Sequence, residues 1–264
     1  MTTGQRQTDL DRIEAALREA ERVLEPYTPG AIEVERKAGG DPVTEADRLV
    51  DSVLKRVLPS EGEGWLSEET VDDHKRLDRD RAWVVDPLDG TKEFVQGIPE
   101  WCISIGLVES GVPVAGGILS PSTGQLILGS LETGVTLNGE AVSISRRDSL
   151  EHATILASRS EVKRGEWERF RDRGYQIEAS GSVAFKLGLV AAGLADGTWT
   201  LVPKNEWDVV AGIALIRAAG GWAEVLDDPA RRFNRADPLM AGLIASGPHL
   251  EAPIRAEIAQ MRHI

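Results

Sequence analysis

The sequence predicts a mixed α/β protein with an α+β first half and a layered α/β second half. Amphipathic helical patterns dominate the beginning of the chain, and strand patterns follow one another through its middle. Beyond about Ser145, helical and strand patterns alternate. The 264 residues suffice to bury a large core. We expect an α+β part over residues 1–145 and an α/β part over residues 146–264, joined in one compact unit.

Two amphipathic helices are predicted in the first part, at Leu10–Leu24 and Thr44–Leu58. In both segments apolar residues recur every three or four positions and form one stripe. Thr44 and Asp47 stand three residues apart at the second helix start, a spacing typical of a capping box. The polar, glycine-containing segment Glu33–Asp41 connects the two helices.

Strand and helix patterns follow in order. An apolar run at Trp83–Val85 predicts a buried strand, and further strands are predicted at Cys102–Glu109, Val112–Leu119 and Gln125–Gly129. In the second part we predict strands at Thr154–Ala157, Thr198–Val202, Trp222–Leu226 and Leu243–Ala245. The predicted helices there are Gly165–Arg173, Val183–Ala192, Trp207–Ala219 and one that begins at Pro248.

The segment Trp83–Phe94, WVVDPLDGTKEF, carries the strongest chemical signal. Pro87 and Gly90 force a tight turn at the end of the apolar run, and this turn brings Asp86 and Asp89 close together. Two neighbouring carboxylates repel, so either a pKa rises or a cation lies between them. Oxygen ligands favour a hard divalent ion such as Mg²⁺. A surface Asp-Gly turn is the ordinary alternative.

Other acidic residues occupy similar positions. Glu68 and Glu69 follow the apolar residues Trp65 and Leu66, while Asp47 and Asp208 lie at predicted helix starts. Each has an ordinary explanation, as a solvated charge or as a partner of the helix dipole. Together they lie at the ends of strands or the starts of helices, where α/β proteins build their sites.

Composition excludes several classes of protein. The chain has 30 basic and 43 acidic residues, a net charge of −13, which disfavours binding to nucleic-acid polymers and to anionic membranes. No apolar run approaches the ~20 residues of a membrane span, and the N-terminus lacks the pattern of a signal peptide. The single cysteine, Cys102, lies in an apolar strand pattern and excludes an internal disulfide. These features predict a cytoplasmic protein.

Motifs of other catalytic classes are missing. The four histidines lack the spacing of a zinc site, and the charged run Asp72–His74 is typical of a solvated loop. The sequence has no GxxxxGK[ST] loop, no GxGxxG after a strand and no GxSxG elbow.

The chain resembles the inositol monophosphatase superfamily of Mg²⁺-dependent, lithium-sensitive phosphatases. Four motifs carry the resemblance in the family's order: DPVTEAD (Asp41–Asp47), SEET (Ser67–Thr70), WVVDPLDGTKEF, and WDVVAGIALIRAAGG (Trp207–Gly221). The resemblance implies the layered α-β-α-β-α sandwich of the sugar phosphatases.

Several details are most similar to the 3'(2'),5'-bisphosphate nucleotidases. Lys92-Glu93-Phe94 resembles their K-E-F, and the segment from Pro203 to Asp208 resembles their P-x-N-x-W-D. Leu201 replaces a glutamate that contacts sugar hydroxyls in inositol phosphatases. Ser158–Ser160 resembles the start of the nucleotidase motif S-R-S-H, but Glu161 replaces its histidine.

The resemblance also implies roles for individual residues. Glu68, Asp86, Asp89, Asp208 and the carbonyl of Leu88 are expected to hold two Mg²⁺ ions, and Asp47 a third through water. Thr91, paired with Asp47, is expected to orient the attacking water, with Glu68 as the base-side partner. The N–H groups of Gly90 and Thr91 are expected to bind the phosphate. Lys92 is either a local charge for a second phosphate or a plain solvated lysine. Asp208 is also expected to contact the substrate.

The implied activity is hydrolysis of a phosphomonoester on 3'-phosphoadenosine 5'-phosphate or a relative. The alternatives are an inositol- or other sugar-phosphate phosphatase, and a non-catalytic module that binds divalent ions. A group of basic residues could serve a second phosphate: Arg159, Lys163, Arg164, Lys186 and Lys204. The expected partner is thus a small phosphorylated metabolite, and a homodimer is possible.

Overall fold

The computed structural model describes residues 3–36 and 42–261. Within these ranges the chain forms seven α-helices: Thr3–Leu24 (α1), Glu45–Val57 (α2), Thr91–Gln96 (α3), Arg159–Lys163 (α4), Val183–Ala191 (α5), Glu206–Ala218 (α6) and Glu251–Met261 (α7). None of the helices in the described part is long and apolar enough to cross a membrane.

The strands are numbered in chain order. In the first part of the chain they are Glu35–Arg36 (β1), Pro42–Val43 (β2), Gly64–Ser67 (β3), Arg81–Asp89 (β4), Cys102–Glu109 (β5), Val112–Ser120 (β6), Gln125–Ser130 (β7), Gly134–Leu137 (β8) and Glu140–Ala141 (β9). The second part adds Thr154–Ser158 (β10), Gln176–Ser180 (β11), Gly197–Thr200 (β12), Lys204–Asn205 (β13), Trp222–Val225 (β14), Leu239–Met240 (β15) and Leu243–Ser246 (β16).

Two large sheets define the layers. The first runs from β3 to β9 in chain order, and only its β3–β4 pair is parallel. The second has the order β11-β10-β12-β16-β14, with parallel pairing around β10 and antiparallel pairing around β16.

Helices cover both faces of each sheet. Helices α1 and α2 pack on one face of the first sheet, and α5 and α6 lie between the two sheets. Ile254 and Ile258 of α7 join a third apolar cluster on the outer face of the second sheet, beside Trp199. The expected α-β-α-β-α sandwich is therefore confirmed.

Helix α1 begins earlier than its apolar stripe predicts. Its first turns bury Arg6 and Asp9, which form an ion pair at 3.1 Å. Arg81 of β4 also pairs with Asp9 and, at 3.0 Å, with Glu109 of β5. These buried charges hold the helix against the sheet, and a search for apolar periodicity cannot detect them.

The predicted helix Gly165–Arg173 is wrong. Helix α4 ends at Lys163, and only a 3₁₀ turn, Glu168–Phe170, follows. Positive φ angles at Gly165 and Asp172 interrupt the helical backbone at both ends of this segment. Its apolar residues instead join the cluster around Trp199.

Several other boundaries shift by a few residues. Strand β12 covers Gly197–Thr200 rather than Thr198–Val202, and α7 begins at Glu251, after a turn at Pro248. Asp41 and the end of the connection predicted at Glu33–Asp41 lie outside the described residues.

Helix α6 packs against the first sheet at two glycines. A Cβ atom on Gly106 of β5 would lie 2.8 Å from the Ala211 nitrogen, and one on Gly116 of β6 would overlap the Ala211 carbonyl. Only glycine permits this approach, so main chain rests on main chain where the helix crosses the sheet.

Candidate active site

One cavity of about 300 Å³ gathers the end of β4 and the starts of α3, α5 and α6. All of the predicted site residues except Asp47 line it, together with a group of basic and hydroxyl side chains from the second part of the chain. The lining residues include Glu68, Asp86, Leu88, Asp89, Gly90, Thr91, Lys92 and Asp208, then Arg164, Ser182, Lys186 and Lys204.

The irregular end of β4 brings its two aspartates to the cavity. Pairing with β5 is regular up to Asp86, and the register shifts between Asp86 and Asp89. Pro87, which lies in this interval, has no N–H to continue the ladder. The Leu88 N–H instead donates to Asp86 Oδ1 at 3.0 Å. The broken ladder therefore turns both carboxylates toward one space.

The acidic side chains repel one another strongly. Burial and the charges of Glu68, Asp89 and Asp208 raise the pKa of Asp86 well above its usual range. Burial and the charge of Asp89 raise the pKa of Asp208 to about 8. No group of three or more acidic, histidine or cysteine side chains in residues 3–36 and 42–261 forms a ready-made metal shell. The acids thus share a cavity in which a cation would relieve their repulsion.

Asp47 reaches the site through Thr91. The Thr44 N–H donates to Asp47 Oδ2 at 2.8 Å and the Thr44 hydroxyl donates to the same oxygen at 2.5 Å, which fixes the carboxylate at the start of α2. The Thr91 hydroxyl lies 3.0 Å from Asp47 Oδ1 and 3.1 Å from the Leu88 carbonyl oxygen. The Thr91–Asp47 pairing expected from the resemblance is present.

Gly90 is required for the predicted turn and also because of a close neighbour, Trp101, that the sequence did not reveal. Its φ of +97° is strained for any other residue, and a Cβ there would lie 3.0 Å from Trp101 Cβ. The glycine therefore lets the chain turn from β4 into α3 directly above Trp101.

Asp89 is held by residues that sequence reasoning missed. The Ser182 hydroxyl and the Ala184 N–H both donate to Asp89 Oδ2, each at 2.6 Å. Ser182 precedes α5, and its Oγ accepts the Phe185 N–H at 2.9 Å as the helix N-cap. A serine before an apolar helical run is a cap signal in the sequence, but nothing local indicates its contact with Asp89.

Basic side chains occupy the cavity wall contributed by the second part of the chain. Arg164, Lys186 and Lys204 line it there, and Lys92 of α3 lines it on the other side. Lys186 is buried, and burial lowers the pKa of its amine to about 8. The cavity therefore has its basic groups on one wall, where Glu161 lies 3.9 Å from Lys204, and most of its carboxylates at the other end.

Two other residues from the predicted basic group lie elsewhere. Arg159 donates to Glu100 Oε1 at 2.8 Å and to the Ala179 carbonyl at 3.2 Å, and Lys163 is exposed. Neither is among the residues that line the described cavity.

Glu161 and Leu201, which depart from the two motif patterns, are also placed by the structure. Glu161 is buried at the cavity wall and accepts hydrogen bonds from Trp167 Nε1 at 3.1 Å and the Thr200 hydroxyl at 2.5 Å. Leu201 packs against the apolar cluster around Trp199. The position of the missing glutamate is thus filled by an apolar side chain.

The layered fold, with a cavity that gathers carboxylates from several elements, is that of a metal-dependent phosphatase. Residues 6–261 match the model of the inositol monophosphatase family, and the chain belongs to that family. Members of this class hydrolyse small phosphorylated metabolites.

Individual relatives span most of the chain. The inositol-1-monophosphatase of Rhizobium meliloti (strain 1021) is 32% identical over 238 residues, which cover 87% of this chain and 86% of that protein. The structure of inositol monophosphatase from Anabaena (Nostoc) sp. PCC 7120 is similar with a TM-score of 0.79 and 27% identity, covering 97% of both chains. CysQ from Bacteroides thetaiotaomicron, a bacterial member of the same family, has a TM-score of 0.73 and 28% identity, covering 91% of this chain and 97% of that one.

Proposed function

We propose that the chain is a Mg²⁺-dependent phosphomonoesterase that acts on 3'-phosphoadenosine 5'-phosphate or a related bisphosphate nucleotide. The carrying observation is the basic wall formed by Arg164, Lys186 and Lys204. Glu161 lies 3.9 Å from the Lys204 amine and Glu166 pairs with Arg164, so carboxylates balance part of this positive charge. In a chain with a net charge of −13, three cations on one cavity wall are still a local feature that suits an anion. A phosphate bound at the acidic end would leave this wall for a second anionic group.

The acidic end suits magnesium. Its donors are all oxygen atoms, as Mg²⁺ prefers, and burial together with the charges of neighbouring carboxylates raises the pKa of Asp86. We expect Glu68, Asp86, Asp89, Asp208 and the Leu88 carbonyl to hold two ions, and Asp47 to contribute to a third through water. When bound, such ions neutralise the phosphate and lower the pKa of a bound water.

The side chains around Thr91 suit the orientation of a nucleophilic water. Because its hydroxyl can donate to Asp47, the oxygen keeps lone pairs that can accept a hydrogen bond from that water. Glu68 lines the same cavity and is proposed as the base-side partner. The N–H groups of Gly90 and Thr91, where α3 begins, are proposed to bind the phosphate oxygens.

A second candidate is a phosphatase for inositol or another sugar monophosphate. The Rhizobium meliloti relative, named an inositol-1-monophosphatase, favours it. Leu201 weighs against it, because no carboxylate stands there to accept the hydroxyl hydrogen bonds of a polyol. A non-catalytic ion-binding module is the third reading, and the presence of Asp47, Glu68 and Thr91 weighs against that one.

Initial rates of phosphate release from 3'-phosphoadenosine 5'-phosphate and inositol 1-phosphate, side by side in Mg²⁺, test the proposal. A preference for the nucleotide of about tenfold or more in kcat/KM, or ~1.4 kcal/mol in transition-state binding, supports it. The reverse preference makes the chain a sugar-phosphate enzyme. Metal binding without phosphate release from either compound, or from a generic phosphomonoester, supports the non-catalytic module.

A further inference from the structure

The Asp89 carboxylate is oriented by the segment that starts α5. Asp89 Oδ2 accepts two hydrogen bonds of 2.6 Å, one from the Ser182 hydroxyl and one from the Ala184 N–H. One oxygen of the carboxylate is thereby occupied by donors of this distant segment. These hydrogen bonds, and not only the rotamer preference of the aspartate, therefore fix the position of the Asp89 carboxylate.

The direction of the Ser182 proton follows from its other contacts. Ser182 Oγ accepts the Phe185 N–H at 2.9 Å, and the hydroxyl has a single proton to donate. Asp89 Oδ2 lies 2.6 Å from Ser182 Oγ, so that proton points at the carboxyl oxygen. Cys102 Sγ lies 3.3 Å from Ser182 Oγ and packs beside the same hydroxyl.

The backbone of Ser182 is held in an unusual conformation to make this contact. Its φ is +49°, a region that residues with a side chain rarely adopt. The buried Lys186 amine donates to the Ser182 carbonyl at 2.8 Å, and a Cβ on Gly181 would overlap Glu93 of α3. A strained serine that is fixed on several sides and points at a site residue suggests a functional constraint.

We infer that Ser182 is a positioning residue, which holds Asp89 in the orientation required to bind the metal. The inference rests on the proposed role of Asp89 as a metal ligand. Groups that hydrogen-bond to a metal ligand typically change metal affinity or activity about 10- to 100-fold when removed.

Two substitutions separate positioning from stability. Ser182→Ala removes the hydroxyl and keeps the strained φ, whereas Ser182→Gly removes the hydroxyl and relieves the strain. Ser180→Ala is the matched control, because the Ser180 hydroxyl is also buried but bonds to the Gly181 carbonyl. Asp89→Asn serves as the reference for loss of the ligand itself.

The measurement is the affinity of the full-length chain for Mn²⁺. Electron paramagnetic resonance gives the concentration of free Mn²⁺ during a titration. The melting temperature of each variant is measured separately in the presence of a chelator. We expect both Ser182 variants to bind Mn²⁺ about 10- to 100-fold more weakly, while Ser180→Ala stays within about twofold. The melting temperatures of the two Ser182 variants should differ, with the glycine variant higher.

Suppose that Ser182→Gly binds Mn²⁺ like the wild type while Asp89→Asn binds it much more weakly. This result would overturn the positioning role of Ser182 and leave the ligand role of Asp89 in place. A loss confined to Ser182→Ala would also overturn it, since that pattern traces to strain. If Asp89→Asn itself binds Mn²⁺ like the wild type, the proposed ligand role of Asp89 fails, and the inference fails with it.

Discussion

The Thr91 hydroxyl lies 3.0 Å from Asp47 Oδ1, although the two residues are 44 positions apart in the chain. This contact joins the start of α2 to the start of α3 beside the acidic cavity. We expect Thr91→Ala to retain metal binding and to lower kcat by about 10²-fold, as loss of other positioning groups does.

Steady-state kinetics with a parallel Mn²⁺ titration would check this. Thr91→Ser, which keeps the hydroxyl, should recover most of the activity. Full activity in Thr91→Ala would show that the attacking water is oriented by another group.

Asp89→Asn should remove metal binding and activity together. The substitution keeps the shape of the side chain but removes a charge from a group of carboxylates whose mutual repulsion a cation would relieve. Calorimetric titration with Mg²⁺ measures the effect. Asp73→Asn, on the exposed loop before the 3₁₀ turn Lys75–Asp78, is the control and should bind Mg²⁺ normally. Undiminished Mg²⁺ binding in Asp89→Asn would contradict the assignment.

Lys204→Met should weaken the reaction with a bisphosphate nucleotide selectively. Lys204 lines the basic wall, and we expect kcat/KM for 3'-phosphoadenosine 5'-phosphate to fall about tenfold, ~1.4 kcal/mol, with little change for a monophosphate. Lys163→Met provides the control, since Lys163 is exposed outside the cavity lining. An equal fall for both substrates would show that Lys204 does not serve a second phosphate.

Stability at low pH should depend on Glu63. Burial raises the pKa of this carboxyl, but hydrogen bonds from Arg12, the Ser60 N–H and Trp83 outweigh burial and lower it to about 2. Because this pKa is depressed, the ionised form stabilises the fold at pH values above the pKa of the unfolded state, ~4.3. This contribution is lost as the pH falls through the folded-state pKa of about 2.

Glu63→Gln should therefore cost about 1–2 kcal/mol of unfolding free energy at neutral pH, a modest value because solvent screens part of the pair. The cost should shrink below about pH 4. Urea unfolding of both proteins across this pH range measures it, and a difference that does not change with pH would contradict the prediction.

Gly116→Ala should destabilise the protein strongly. The added Cβ would overlap the Ala211 carbonyl, a main-chain group that cannot move aside without shifting α6. We expect a loss of about 1–3 kcal/mol or more, as for other overpacked cores, measurable by thermal unfolding. Gly4→Ala, in the first turn of α1, is a useful comparison, because a Cβ there would meet no atom within 4 Å.

Sequence reasoning could locate the acidic part of the site because Asp86, Asp89 and Thr91 lie in one continuous segment, where a strand visibly ends. Ser182 could not be assigned in this way, since its contact with Asp89 spans 93 residues and depends on how α5 meets the first sheet. Lys186 reads as one charge in an apolar helix, and only the packed structure shows it buried at the cavity wall.

The secondary structure shows the same difference between features that are local in the sequence and features that are not. Helix α2 and the central strands follow apolar periodicity and were predicted nearly in full. The segment after Arg164 has apolar residues at helical spacing, yet the left-handed backbone of Gly165 and Asp172 prevents a helix. Local apolar spacing does not reveal the positive φ of a non-glycine residue such as Asp172.

The glycine contacts between α6 and the first sheet also bear on how the catalytic groups tolerate sequence change. Asp208 lies in the first turn of α6, and its height above β4 is fixed where Gly106 and Gly116 meet Ala211. These are contacts between main-chain atoms, which cannot move aside as a flexible side chain can. A larger residue at either glycine should therefore displace Asp208 and lower both the melting temperature and the turnover of this enzyme.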